Sequence, residues 1–319
     1  MTEADLVTLD DVLAARQLLE GRIHRTPLVR STSIGQRYGV DLGFKVEAFQ
    51  KTGSFKVRGV LNRLTALSDA ERARGVVTLS AGNHAQALAW AATREGIPST
   101  VVMPAGADPG KVEATRGYGG EVVLTHEGLL ETTLAIRDER DLVLVHPFDD
   151  PSIIAGQGTV GLEILEDEPD VDAVFVGVGG GGLISGVATV LRARRPEALV
   201  VGVEPEGAAV LSESLEAGEP ARLDTLDTVA DGLAAPFAGE HTFAHVRERV
   251  DRMLRVSDAA IVEAMRLLVE RVKVVAEPAA AASLAGVASH AAELPEGSSV
   301  VCVLSGGNVG SERLAELLG

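Results

Sequence analysis

The chain alternates between short runs of β-branched and aliphatic residues and longer stretches whose apolar positions recur with helical spacing. Val76-Val77-Thr78-Leu79 precedes a helical pattern over 85–94, and Thr100-Val101-Val102-Met103 precedes one over 111–117. Val122-Val123-Leu124 precedes a pattern over 129–139, and Leu142-Val143-Leu144-Val145 one over 153–166. The rhythm resumes with the runs 173–178, 199–203 and 300–304, each followed by helical sequence. Strands that are apolar on both faces and separated by helices predict parallel sheets covered on both sides, an α/β, doubly wound fold. Near the start, Thr8-Leu9-Asp10-Asp11 opens a helix through Val12, Ala15 and Leu19 that stops at Gly21, and Pro27 makes the segment 24–28 extended. No Pro/Ser-rich linker, low-complexity tract, heptad or solenoid repeat interrupts the pattern.

Length adds a domain count: 319 residues exceed the roughly 250–300 at which single cores stop growing, so about two domains are expected. With 46% hydrophobic and 24% charged residues the chain folds, and with only 3% aromatic residues its core is built from aliphatic and small side chains. Its 46 acidic and 29 basic residues give a net charge of −17, and without a basic tract nucleic acid is excluded as a partner. The single cysteine, Cys302, lies in an apolar run and reads as a buried thiol in a reducing compartment. Residues 1–6 lack the basic and apolar regions of a signal peptide, and no apolar run reaches the roughly 18 residues of a membrane span. A cytoplasmic protein without a membrane partner is expected.

Four loops carry candidate chemistry. In Lys51-Thr52-Gly53-Ser54-Phe55-Lys56-Val57-Arg58-Gly59, glycines and an aromatic residue surround Lys56, one of only five lysines beside 24 arginines. A lone lysine is usually a solvated charge, but a buried lysine can lose its proton and attack a carbonyl, which arginine cannot do. Ser80-Ala81-Gly82-Asn83-His84-Ala85-Gln86 joins a strand to a helix, where unpaired N–H groups seat a carboxylate or phosphate; Asn83 reads equally well as a plain helix cap. Val178-Gly179-Gly180-Gly181-Gly182-Leu183 brings bare backbone close to an anion. Gly177, Gly179 and Gly182 also satisfy the dinucleotide pattern, with Glu204 lying 22 residues beyond Gly182, so a nicotinamide-dependent oxidoreductase is a competing reading. Ser305-Gly306-Gly307-Asn308 follows the last strand, at the carboxyl end where ligands of doubly wound sheets bind.

Other constellations read more plainly. His241 and His245 have metal-helix spacing but no third ligand, and a solvated pair is expected. Asp149-Asp150-Pro151 reads as a turn and helix start, Glu277-Pro278 as a first-turn acid or a site acid, and Arg192-Ala193-Arg194-Arg195 as a helix C-terminal cluster.

Five segments in order, Ser54-Phe55-Lys56-Val57-Arg58-Gly59, Ser80-Ala81-Gly82-Asn83-His84-Ala85-Gln86, His146-Pro147 with Ala155-Gly156-Gln157-Gly158-Thr159, the four glycines, and Ser305-Gly306-Gly307-Asn308, resemble the fold-type II pyridoxal-phosphate enzymes. Within that family they are similar to the threonine/serine dehydratase and serine racemase group. The resemblance implies a tryptophan-synthase-β-like, two-domain architecture: a larger cofactor domain of residues 1–70 and 150–319, a smaller inserted domain of residues 71–149, and an active site in the cleft between them. The chain stops about one helix after Ser305, so the regulatory C-terminal domain of some threonine dehydratases is not expected. Lys56 would hold pyridoxal 5'-phosphate covalently, with Phe55 beside its ring and Asn83 on the ring hydroxyl. Ser305 would meet the ring nitrogen, and Gly179, Gly180, Gly181, Gly182 and Leu183 the phosphate. Ser80, Ala81, Gly82, Asn83 and His84 would hold the substrate carboxylate.

The implied reaction is β-elimination of water from a hydroxyamino acid, giving 2-oxobutyrate from L-threonine or pyruvate from L-serine, with ammonia. Ala81 stands where racemases of the group carry a serine as second base, which implies dehydration over racemisation. Relatives acting on 3-hydroxyaspartate or phenylserine share these motifs, and a non-catalytic amino-acid binder would need Lys56 to be idle. The family's divalent-metal site maps to Glu204 and Ala208, but Val210 occupies the place of a further carboxylate, so a metal stays an open expectation. The resemblance also implies a homodimer or homotetramer.

Overall fold

The computed structural model describes residues 6–319; residues 1–5, most of the segment read above as lacking a leader's pattern, lie outside the described residues. The strands are β1 (Leu28–Arg30), β2 (Asp41–Val46), β3 (Val76–Leu79), β4 (Ser99–Pro104), β5 (Glu121–Thr125), β6 (Val143–Leu144), β7 (Ala173–Gly177), β8 (Leu199–Pro205), β9 (Arg252–Val256) and β10 (Ser299–Leu304). The helices are α1 (Leu9–Leu19), α2 (Thr32–Tyr38), α3 (Lys56–Thr65), α4 (Asp69–Arg74), α5 (Asn83–Glu95), α6 (Pro109–Gly117), α7 (Leu129–Arg140), α8 (Pro151–Asp167), α9 (Gly182–Arg194), α10 (Val210–Ala217), α11 (Glu240–Arg249), α12 (Asp258–Leu267), α13 (Pro278–His290) and α14 (Ser311–Leu318).

The strands form two sheets, one ordered β1-β2-β10-β7-β8-β9 and the other β5-β4-β3-β6. Every pairing is parallel except β1 with β2. This is the parallel α/β architecture that the alternation of strands and helices predicts. The four-stranded sheet is drawn wholly from residues 76–144, and the six-stranded sheet from the segments before and after it.

Successive residues of a strand point to opposite faces, and both faces of the central strands are dry. Val174, Val176, Val301 and Val303 pack in one cluster with Val187 and Leu191 of α9, whereas Phe175, Val300 and Cys302 pack in another with the alanine-rich α13. Cys302 is fully buried and unpaired, and burial pushes its thiol pKa up. Helix α3 lies tight against α8: a Cβ on Gly156 would stand 2.6 Å from Gly59 Cα.

The helix starts follow local chemistry. Thr8 caps α1 through a capping box with Asp11, and Asp150 caps α8 through Ser152 N and Ile153 N, with Pro151 at its first position. Two strands break the apolar pattern. Strand β2 carries Lys45, fully buried because Glu163 Oε2 lies 2.6 Å from its ammonium. Strand β9 runs along the sheet edge, so Arg252 and Arg255 remain exposed. The expected solvated pair His241/His245 is corrected: His245 is buried, its Nε2 accepts from Val7 N at 2.9 Å, and its Nδ1 contacts the His241 carbonyl at 2.7 Å. It ties α11 to the N-terminal segment.

Candidate active site

Lys56 opens α3, and the chain reaches it through left-handed backbone at Thr52 (φ 60°) and Gly53 (φ 73°). Phe55 N donates to the Ser305 carbonyl at 3.1 Å, which ties the helix entry to the carboxyl end of β10. From behind, the buried Arg58 guanidinium grips Glu47 at 2.7 and 2.8 Å and Glu163 at 2.7 and 2.9 Å. Its planar fork clamps α3 to the 3-10 turn Glu47–Phe49 and to α8.

Held this way, the Lys56 amine donates to the Pro147 carbonyl at 2.7 Å and lies 5.2 Å from the Phe55 ring centroid. Burial pulls its pKa down to about 8, opposed by the charge of Glu277. It opens onto a cavity of about 520 Å³ beyond the carboxyl ends of β3, β4, β7 and β10, lined also by Phe55, Ser80, Ala81, Gly82, Asn83, His84, Gly179, Gly180, Gly181, Gly182, Leu183 and Ser305. The structure therefore brings together every residue that the resemblance assigns to cofactor or substrate.

Two helix N-termini meet this cavity, α5 at Asn83 and α9 at Gly182, each with first-turn N–H groups that lack a partner one turn back. The glycine loop before α9 admits no side chains. A Cβ on Gly180 would stand 2.3 Å from the Phe148 ring, and Gly181, at φ 88°, would place one 2.7 Å from Leu211 Cδ1. On the α5 side, a Cβ on Gly82 would meet nothing, leaving room for a ligand. The donor set fits pyridoxal phosphate: a half-buried amine of lowered pKa for the aldehyde, a bare-backbone cradle for the phosphate, and Asn83 and Ser305 for the ring.

Asn83 is oriented by its neighbours. Asn308 Nδ2 donates to Asn83 Oδ1 at 2.7 Å, and Asn83 Nδ2 donates to Glu277 Oε1 at 2.6 Å. Glu277 sits at the N-cap of α13, and burial pushes its carboxyl up to about 7 against the Asn83 hydrogen bond. Of the two readings of Glu277-Pro278, both hold: it is a helix-start acid and it lines the cavity. His84 is buried with Nε2 3.3 Å from the Val145 carbonyl, and burial holds its pKa well below the ordinary value.

The cavity has further walls that no motif marked, Phe148 and Phe237. Their rings lie 5.7 Å apart by centroid, and His146 of the His146-Pro147 segment packs behind them, 4.7 Å from Phe148. Lys111 from α6 and Asp231 from the turn Asp231–Leu233 form an ion pair of 2.5 Å and both line the cavity. The scarcity of lysine could have pointed to Lys111.

Glu204 and Ala208 lie apart from these residues. Glu204 ends inside the protein: its Oε1 accepts from Leu211 N at 2.8 Å, and its Oε2 from Ser212 N at 2.9 Å and Ser212 Oγ at 2.6 Å. Burial lifts its carboxyl to about 7 against these donors. An acid so engaged is not free for the ribose of a dinucleotide, which removes the second element of the nicotinamide reading. Nor does the set fit a divalent cation: Val210 brings no carboxylate and its carbonyl accepts from Ser214 Oγ at 2.6 Å, and among the described residues no group of three His, Cys, Asp or Glu side chains could hold a metal.

Comparison with known proteins agrees with this geometry. The family model described as "Pyridoxal-phosphate dependent enzyme" matches residues 19–306. The L-threonine ammonia-lyase of Thermotoga maritima is 44% identical over 307 residues, 95% of this chain and 76% of that protein. The L-threo-3-hydroxyaspartate ammonia-lyase of Saccharomyces cerevisiae is 41% identical, covering 98% of this chain and 96% of its own. Among solved structures, maize serine racemase superposes with a TM-score of 0.92 at 40% identity, over 97% of this chain and 96% of that one.

Proposed function

Because the chain belongs to the pyridoxal-phosphate-dependent enzyme family, we propose that it is a lyase that eliminates water from L-threonine and L-serine, releasing ammonia and 2-oxobutyrate or pyruvate. The observation that carries this reading is the half-buried Lys56 amine, its pKa lowered to about 8, in one cavity with the glycine loop, the 80–84 loop and Ser305.

When bound, pyridoxal phosphate supplies the electron sink for the pair left at Cα. The protein supplies position and proton transfer. The α5 N-terminus and the 80–84 loop hold the substrate carboxylate, fixing which Cα bond faces the lysine. The Lys56 amine, uncharged in an appreciable fraction near neutral pH, takes the Cα proton. The β-hydroxyl departs with a proton as water, and a water returns when the unsaturated amine product hydrolyses to the 2-oxo acid and ammonia. Asn83, held between Asn308 and Glu277, keeps one amide hydrogen for the ring oxygen of the cofactor.

Charge in the cavity favours threonine and serine over 3-hydroxyaspartate. A second substrate carboxylate needs a free cation, and beyond Lys56 the lining offers only Lys111, already paired with Asp231, beside Asp108 and Glu277. Ala81 supplies no proton for a second base, which favours elimination over racemisation.

The reading divides the chain into a larger unit of residues 1–70 and 150–319 and a smaller unit of residues 71–149 with the active site in the cleft between them; that the four-stranded sheet is drawn from within residues 71–149 supports it. A cytoplasmic homodimer or homotetramer completes the reading, the reducing compartment supported by the single buried, unbridged thiol and the oligomer by the family resemblance alone. The deciding experiment measures ammonia and 2-oxo acid from L-threonine, L-serine, 3-hydroxyaspartate and phenylserine. Faster turnover of either of the last two than of threonine would overturn the assignment.

A further inference from the structure

The site that the family resemblance gives to a divalent cation is, in this chain, closed from within, and its contacts lead to the cofactor loop. Glu204 is fully buried at the end of β8, and the start of α10 delivers three hydrogen bonds to its two oxygens, from Leu211 N, Ser212 N and Ser212 Oγ. Buried carboxylates require such compensation, and N–H groups of a first helical turn provide it without a metal. The neighbouring positions add no second carboxylate: Ala208 offers a cation only its main-chain carbonyl, and Val210 is fully buried in a cluster with Leu183, Ile184 and Val246. Leu211, whose N–H is bound to Glu204, reaches the glycine loop, because its Cδ1 occupies the space 2.7 Å from where a Gly181 Cβ would stand. Gly181 is the left-handed residue that turns the loop into α9.

We propose that Glu204 is a positioning residue that anchors the N-terminus of α10 by hydrogen bonds in place of a divalent cation, and that through Leu211 this anchor sets the glycine loop that receives the cofactor phosphate. The enzyme is then independent of divalent metal at this place. The inference rests on the family's cofactor and not on the choice of substrate, so it stands or falls separately from the threonine reading.

The test uses the full-length holoenzyme and reads melting temperature and retention of the cofactor's visible absorbance on dialysis. Chelator, or Mg²⁺, Ca²⁺ or Mn²⁺ at about 1 mM, the weak end of protein affinities for such ions, should leave both unchanged in the wild type. Glu204→Gln, which turns an amide against backbone N–H donors, should weaken cofactor binding about tenfold, the loss of one charge-assisted hydrogen bond. Ser212→Ala, which removes a single donor and keeps the helix, guards against a Gln variant that fails to fold and should weaken binding in the same direction. Val210→Asp restores a second carboxylate and should confer a melting temperature that rises with divalent cation and falls with chelator. A wild-type protein stabilised by one of these cations, or a folded Ser212→Ala variant that holds the cofactor as tightly as wild type, overturns the proposal.

Discussion

The ammonium of Lys111 lies 2.5 Å from the carboxylate of Asp231, joining α6 beside the four-stranded sheet to the turn before α11 across 120 residues of sequence. Both side chains line the cavity, so the pair occupies a cation that a second substrate carboxylate would seek. Asp231→Asn releases that ammonium. The ratio of kcat/KM for 3-hydroxyaspartate to that for L-threonine is expected to rise about tenfold, within the range of one charge-assisted contact. Global stability should barely change, because the Asp231 side chain is 63% exposed and such pairs contribute at most about 1 kcal/mol. Competing-substrate assays with a melting curve check both statements.

Lys56→Ala removes the amine that the cavity is built around. The visible absorbance of the purified protein should disappear, and ammonia release from L-threonine should fall by at least about a thousandfold, as expected when a positioned proton-transfer group is lost. The fold should persist, because Lys56 makes a single hydrogen bond, to the Pro147 carbonyl, whereas α3 is anchored by Arg58. A variant that keeps its colour would remove Lys56 from its assigned place.

The loops of the site could be read from sequence because each lies between a strand of continuous apolar residues and a helix, and glycine and proline punctuate that pattern locally. Strand β2 escaped the same reading because Lys45 interrupts it, and only Glu163 on α8 makes a buried lysine tolerable there. Lysine scarcity alone would have chosen Lys45 as readily as Lys56; the neighbouring motifs separated them. Asp231 and Phe237 carry no local signal and Lys111 only that of lysine scarcity, since their place at the cavity follows from how the fold brings distant loops together. Glu204 shows the converse: its spacing from the glycine loop suggested a ligand, but contacts with Leu211 and Ser212 had already claimed its oxygens.

Glu277 makes stability depend on pH in a defined direction. Burial raises its carboxyl from 4.5 to about 7, so the folded protein binds this proton more tightly than the unfolded chain does. The corresponding stabilisation is fully present below about 4.5 and is lost as pH rises through about 7, an effect of up to about 3 kcal/mol. Glu277→Gln keeps an acceptor for Asn83 and cannot ionise. In urea unfolding of the apoprotein, wild type should lose more stability than the variant between about pH 5 and pH 8. Equal losses would assign the slope to other groups.

Ala81 sets the balance between elimination and racemisation. Returning a proton to Cα with inverted configuration needs a donor other than Lys56, and Ala81 has no exchangeable proton to give. The neutral, buried His84 has Nε2 against the Val145 carbonyl. Ala81→Ser adds a hydroxyl at the cavity wall with little change in volume, so melting temperature and cofactor absorbance should hold. Chiral chromatography of L-serine reactions should then show D-serine from the variant at a rate several-fold above wild type, while pyruvate formation falls as both outcomes draw on the same Cα proton loss. Wild-type protein that releases D-serine faster than pyruvate would place the second base elsewhere in the cavity, and a folded Ala81→Ser variant that forms none would show that a hydroxyl at this position cannot reach Cα.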